Sequence, residues 1–228
     1  MKSFYLAKEP DLAVRDDLSK LSGEVTVVDC LDAYGDWYRK KGYNCINAAQ
    51  YFENTMHFSG TIGNPPYLGN LHLEFLIQGL KTSDNVCLTH PAGWLFRNGQ
   101  KIEKEAKRLL KNRLQSITLY NGNPVFKGAE FDCPLTITKA AESHDGPIEV
   151  FYKSSGNKYY VNDLSEMPTG FWEPNDMHLS IVDRYKQLTE SSCIGDLAGK
   201  YAGGSFVQPP RTCGHAWTKD PAKFCTND

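Results

Sequence analysis

From residue 24 onward the chain alternates short β-branched runs with polar or amphipathic helical stretches, and this alternation narrows its possible folds more than any other feature. "EVTVVD" (24 to 29) reads as a strand ending in an acid, and "LDAYGDWYRKKG" (31 to 42) as a helix-compatible segment stopped by glycine. "YNCINAA" reads as a second strand, and "MHFSGTIGNPPY" contains a third that ends at two prolines. The helix "LHLEFLIQGLK", the strand "NVCLTHP", the basic helix "NGQKIEKEAKRLLKNR" and the strands "LQSITLYN" and "CPLTITKA" follow. Strands separated by helices imply a mainly parallel sheet with helices on both faces, an α/β fold. In such sheets ligands collect at the carboxyl ends of the strands, where Asp29, the Gln50 region, Asn64 and the His90 to Trp94 loop all fall.

After Ala141 the character changes to short antiparallel strands and turns, then one helix around "MHLSIVDRYKQL" and a tail rich in Gly and Pro. This divides the chain into a core over residues 1 to 145 and a small, irregular α+β region over 146 to 228. The net charge of −2 gives no general attraction to nucleic acid, so an anionic partner must be held by a local patch. The apolar runs are too short to cross a bilayer. The start lacks a signal-peptide core, and seven scattered cysteines without CxxC pairs suit a reducing compartment, so a cytoplasmic location is expected. Cys213, His215 and Cys225 match no zinc spacing, and no metal is expected.

The chemistry lies in "IGNPPYLG" (62 to 69). Each proline fixes φ and holds the residue before it extended, so Asn64 and Pro65 are rigid. Adenine's amino nitrogen is a poor nucleophile because its lone pair is delocalised into the ring. Two acceptors, the Asn64 side-chain oxygen and the Pro65 carbonyl, suffice to take its two N–H groups and aim the lone pair, by placement and fixed dipoles alone. Pro66 stiffens the loop, and Tyr67 offers a flat surface on which a base can stack. The plain alternative is a rigid strand-to-loop turn with a surface tyrosine.

Taken together, these segments resemble the S-adenosylmethionine-dependent N6-adenine DNA methyltransferases in which cofactor elements precede the catalytic loop. The resemblance covers roughly residues 24 to 140 and implies a Rossmann-like methyltransferase sheet. It places Asp29 on the cofactor ribose, Gln50 and Tyr51 on its adenine, and Asn64, Pro65, Pro66 and Tyr67 at the catalytic loop. Gln50 stands where the family has a carboxylate, although its oxygen is still an acceptor. "NPVFKGAEFDCPLTITK" resembles the segment that walls in a flipped base, with Phe126 first and Phe131 second as the wall residue. The partner implied is double-stranded DNA. Lys107, Arg108 and Lys111 on the basic helix are candidates for its phosphates. A solvated face with Glu103 to Lys107 pairing is the other reading of that helix.

One family element has no counterpart. The glycine-rich cofactor loop should follow a first strand upstream of "VTVVD", yet residues 1 to 24 hold a single glycine and no evident strand. The sheet is therefore expected to be incomplete at the N-terminus. A fragment, a split enzyme completed by a second chain bearing that motif, and a non-catalytic DNA-binding relative all fit. A methyltransferase for RNA or for glutamine side chains remains as an alternative, since an NPPY loop serves planar nitrogens generally.

Overall fold

The computed structural model describes residues 2–7, 23–96, 99–120 and 134–164. Nine strands form one sheet: β1 (Lys2–Ala7), β2 (Glu24–Asp29), β3 (Asn44–Asn47), β4 (Phe58–Gly63), β5 (Ser83–Pro91), β6 (Leu114–Tyr120), β7 (Leu135–Ala140), β8 (Ile148–Tyr152) and β9 (Asn157–Val161). Their order is β3-β2-β1-β4-β5-β7-β6-β8-β9. The first five in this order run parallel, β7 is antiparallel to both its neighbours, β8 is parallel to β6, and β9 closes the edge as an antiparallel hairpin.

Between these strands lie α1 (Gly35–Lys40), α2 (Ala48–Glu53), α3 (Leu71–Thr82), a 3-10 turn (Gly93–Phe96) and α4 (Lys101–Leu110). In α3 the buried residues Leu73, Leu76 and Leu80 recur at helical spacing, which lays one face on the sheet. α2, α3 and α4 cover one side, where Tyr51, Leu76 and Leu110 pack with Phe4, Leu6 and Val28. Tyr38 of α1 packs on the other, with Tyr5, Ala7, Val27 and Cys45. Alternate residues of β1 thus serve opposite cores, as a strand covered on both faces must.

The N-terminal expectation is corrected. Lys2–Ala7 is a strand, and it occupies the middle of the parallel region between β2 and β4. Its four consecutive buried residues carry no alternation, because both faces are covered. From β1 the strand order departs both ways, toward β2 on one side and β4 on the other, which opens a crevice at the carboxyl rim. The sheet also runs past residue 145, where the change in sequence character set a boundary, since β8 and β9 belong to it. The chain divides into the compact units Met1–Glu173 and Pro174–Asp228, and the second lies outside the described residues, as does the expected helix "MHLSIVDRYKQL". None of the described helices is long and apolar enough to cross a membrane.

One close approach fixes the crevice. Gly63 has φ of 146°, and a Cβ added there would meet Leu6 O at 2.3 Å and Leu6 N at 2.8 Å. Asn64 N–H then donates to Leu6 O at 3.3 Å, so the turn after β4 is tied to the end of β1. Gly69, at φ of 54°, has nothing within 4 Å of such a Cβ. Gly63→Ala is therefore expected to destabilise the chain by about 2 kcal/mol or more, against about 1 kcal/mol for Gly69→Ala, read from urea unfolding.

Candidate functional site

Asn64 stands just beyond β4, at the crevice. Its Oδ1 is buried and lacks a hydrogen-bond partner among the described residues. Such an orphan acceptor costs about 1–3 kcal/mol, so it marks a place where a donor belongs. Pro65 and Pro66 are buried beneath the loop, and Tyr67 is half-buried with its hydroxyl donating to Thr89 O at 3.4 Å. That tether sets the ring against β5. The loop is thus held by β1 on one side and β5 on the other.

A cavity of about 250 Å³ opens at the ends of β2 and β3, lined by Asp29, Asp32, Arg39, Ile46, Asn47 and Gln50 among others. Asp29 is only 2% exposed. Its Oδ2 accepts the Tyr34 N–H, which shapes the turn into α1, and its Oδ1 is buried with no partner among the described residues. Asp32, held at φ of 54°, accepts the Ala48 N–H at 2.8 Å and ties this turn to the start of α2. Asp36 and Arg39 form an exposed pair at 2.8 Å, and the guanidinium holds the Asp36 carboxyl below its ordinary range.

Gln50 lines this cavity as the sequence leads one to expect, but its side chain is engaged. Its Oε1 accepts the Asn47 N–H at 3.0 Å while its own N–H donates to Asn47 Oδ1 at 2.8 Å, a reciprocal cap on α2. An amide oxygen has two lone pairs, so one remains for a ligand. Tyr51 is corrected. It is 0% exposed, stacks on Phe75 with centroids 5.5 Å apart, and donates to Phe75 O at 3.4 Å. Neighbours on a helix face different directions, so with Gln50 at the cavity Tyr51 turns into the core. The sequence reading also missed Asp32, Ile46 and Asn47. The "NAAQ" capping signature was the signal that pointed to Asn47.

Near the Asn64–Tyr67 loop, on α3 and β5, lies a buried polar group. His72 in the first turn of α3 and His90 on β5 meet Nδ1 to Nδ1 at 3.1 Å, and His90 Nε2 contacts Thr138 Oγ1 at 2.9 Å. One Nδ1 must carry the proton and the other accept it, so the pair is satisfied when neutral. Burial first, and the His72 charge second, hold His90 well below its ordinary pKa. Trp94 stacks on His90 at 5.7 Å and 17°. Both residues, which the sequence placed in a loop at a strand end, are buried in the core.

The basic helix stands elsewhere. α4 begins after the carboxyl end of β5 and leads to the amino end of β6, which runs parallel to β5, so its last turns approach the opposite rim from Asn64. Arg113, just beyond it, confirms this direction by donating to the carbonyls of Leu80 in the last turn of α3 and of Ser83 and Asp84 at the start of β5. Lys107 is half-buried, Arg108 pairs with Glu105 at 3.1 Å, and Lys111 is exposed. The structure therefore does not bring these three cations to the loop, a correction of their expected phosphate role. Glu103 caps the helix by accepting the Gln100 N–H at 3.1 Å. Phe126 and Phe131 lie outside the described residues, as do Cys213, His215 and Cys225. Among the described residues no cluster of metal-ligating side chains forms.

No protein-family model matches the chain, and no curated protein matches it. Among solved structures, it is similar to the methyltransferase subunit of a type I restriction-modification system from Streptococcus thermophilus. That match has a TM-score of 0.53 and 14% identity, covering 81% of this chain and 48% of that one. This is a Rossmann-like methyltransferase fold. The chain spans about half the length of that subunit. The EcoKI M protein (TM-score 0.46, 13% identity, 61% of this chain and 39% of that) and an S-adenosylmethionine-dependent methyltransferase from Corynebacterium glutamicum (0.37, 12%, 61% and 79%) are also similar.

The neutral histidine pair gives a pH signature. The unfolded chain binds a proton at His90 near the ordinary 6.5, whereas the folded one resists it, so this contribution to stability is present above that pH and is lost as the pH falls below it. Urea midpoints measured from about pH 7.5 down to about 5 should drop, and the drop should be smaller in His90→Gln.

Proposed function

We propose that this chain is the substrate-facing part of an N6-adenine DNA methyltransferase that uses S-adenosylmethionine. The observation that carries the reading is the buried, unpartnered Oδ1 of Asn64 at the strand-order crevice. A second buried oxygen without a partner among the described residues, Asp29 Oδ1, lies at the end of β2, two strands away, roughly 10 Å along the sheet. One acceptor suits an amino donor and the other a hydroxyl donor. Their shared rim supports a site that joins a base to a nucleoside-like cofactor.

S-adenosylmethionine, when bound, supplies an electrophilic methyl group. In this reading Asn64 Oδ1 and the Pro65 carbonyl accept the two N–H groups of a flipped adenine and bring its nitrogen toward tetrahedral geometry. Tyr67, held by its hydroxyl on Thr89, stacks beneath the base. Gly63 and the Leu6 contact keep Asn64 from drifting, which matters because positioning is the main source of rate here. Asp29 would hold the ribose hydroxyls with the oxygen that the Tyr34 N–H leaves free, and Gln50 would meet the adenine of the cofactor with its remaining lone pair. The residues present fit that group on the β2 and β3 side.

Methyl transfer from labelled S-adenosylmethionine to adenine-containing duplexes, RNA and glutamine peptides tests the proposal. Transfer to the duplex is expected. Asn64→Ala should lower turnover by about a hundredfold or more while duplex binding persists. Unchanged turnover in that variant, or transfer to peptide glutamine alone, refutes the assignment. In calorimetry Asp29→Ala should weaken binding of S-adenosylmethionine, and undiminished affinity would remove Asp29 from the cofactor site.

A further inference from the structure

If the substrate is duplex DNA, its backbone must be held by a local patch, since the net charge is −2. α4 does not provide that patch at the catalytic rim. Strand directions show what does. β8 runs parallel to β4 and β5, so its carboxyl end and the hairpin turn into β9 share the rim on which Asn64 stands. The segment from Lys153 to Lys158 reads "KSSGNK": two lysines, two serines, an asparagine and no acid. Every residue of it is exposed.

The two lysines do not trail freely in solvent. Lys153 Nζ lies 5.7 Å and Lys158 Nζ 5.6 Å from the centroid of the Phe151 ring, so one aromatic ring gathers both ammonium groups. Lys158 is further steadied by Glu149 Oε2 at 2.9 Å. The Lys153 N–H donates to Leu119 O at 3.0 Å, and Gly156, at φ of 80°, donates to Tyr152 O at 2.9 Å. The turn is therefore an ordered, exposed projection in which Lys153 supplies a cation, Lys158 a cation shared with Glu149, and Ser154 a hydroxyl, groups that bind phosphate oxygens without reading bases. Among the described residues, Glu149 on β8 is the acid beside the hairpin and it is paired with Lys158, while Glu142, Asp145 and Asp163 belong to segments at the opposite rim, after β7 and after β9.

The order β4-β5-β7-β6-β8 puts four strand spacings between the catalytic loop and the hairpin, about 19 Å along the sheet. At 3.4 Å per step that is between five and six base pairs of duplex. We infer that the β8–β9 hairpin is a phosphate-backbone clamp, with Lys153 and Lys158 as its charges, that holds duplex DNA about half a helical turn from the base presented to Asn64. The inference rests on the proposed DNA substrate. It assigns the anchoring role to residues that no motif marks and withdraws it from Lys107, Arg108 and Lys111.

The test is duplex binding by the full chain, followed by fluorescence anisotropy between about 50 and 200 mM salt. Each lysine–phosphate contact contributes nearly one unit to the slope of log affinity against log salt. The double variant Lys153→Ala with Lys158→Ala should bind more weakly and flatten the slope by about one to two, the Lys158 charge being shared with Glu149, with its urea midpoint lowered only by the small amount that an exposed ion pair contributes. The triple variant Lys107→Ala, Arg108→Ala and Lys111→Ala should keep the wild-type slope. A double variant with wild-type affinity and slope, or a loss confined to the triple variant, overturns the clamp while leaving the DNA reading intact. A wild-type chain that binds no duplex overturns both, and a hairpin loss seen only with RNA duplex overturns the DNA assignment of the clamp.

Discussion

Two backbones lie too close at Gly63 and Leu6 for any side chain to intervene, and much of the site follows from that contact. β1 runs through the middle of the parallel strands with its faces committed to two different cores. Pressing the end of β4 against it leaves the next residue, Asn64, little freedom: its N–H is spent on Leu6 O and two prolines follow it. A side chain so constrained can keep an unsatisfied oxygen in the interior, because the loop has no other conformation in which to relieve it. The penalty is borne by the extensive packing of α3 on the sheet, so close at Gly79 that a Cβ added there would lie 3.3 Å from the Thr61 methyl.

Much of this was legible in the sequence. Every helix and strand read between residues 24 and 140 has its counterpart, since each announces itself by its residue pattern and several by a Gly, Asn or Pro stop. Asp29 and Asn64 could be placed at strand ends because runs of β-branched residues stop there. β1 could not be seen: a strand buried on both faces shows no alternation, and "KSFYLA" is too short to stand out by composition. Tyr51 was misread because a motif records adjacency along the chain, whereas a helix sends adjacent residues in directions about 100° apart.

The basic helix shows a different limit. Its six cations were countable, but a count carries no direction, and direction decides whether charge lies at the reacting rim or beneath it. That depends on how β5, β7 and β6 are threaded, which only the paired strands reveal. The hairpin "KSSGNK" is the converse case, too sparse in charge to attract notice and conspicuous only once its rim is known.

The reciprocal cap between Asn47 and Gln50 has a thermodynamic reach beyond α2. A glutamine in solvent samples many rotamers, and a ligand that engages it must freeze them at a cost of about 0.5–1.5 kcal/mol. Here the helix has already frozen them, because the same oxygen closes the first turn. The entropy is lost when the chain folds rather than when a ligand arrives. An uncharged amide in this position can thus recover, through rigidity, part of the affinity that a carboxylate would gain through charge.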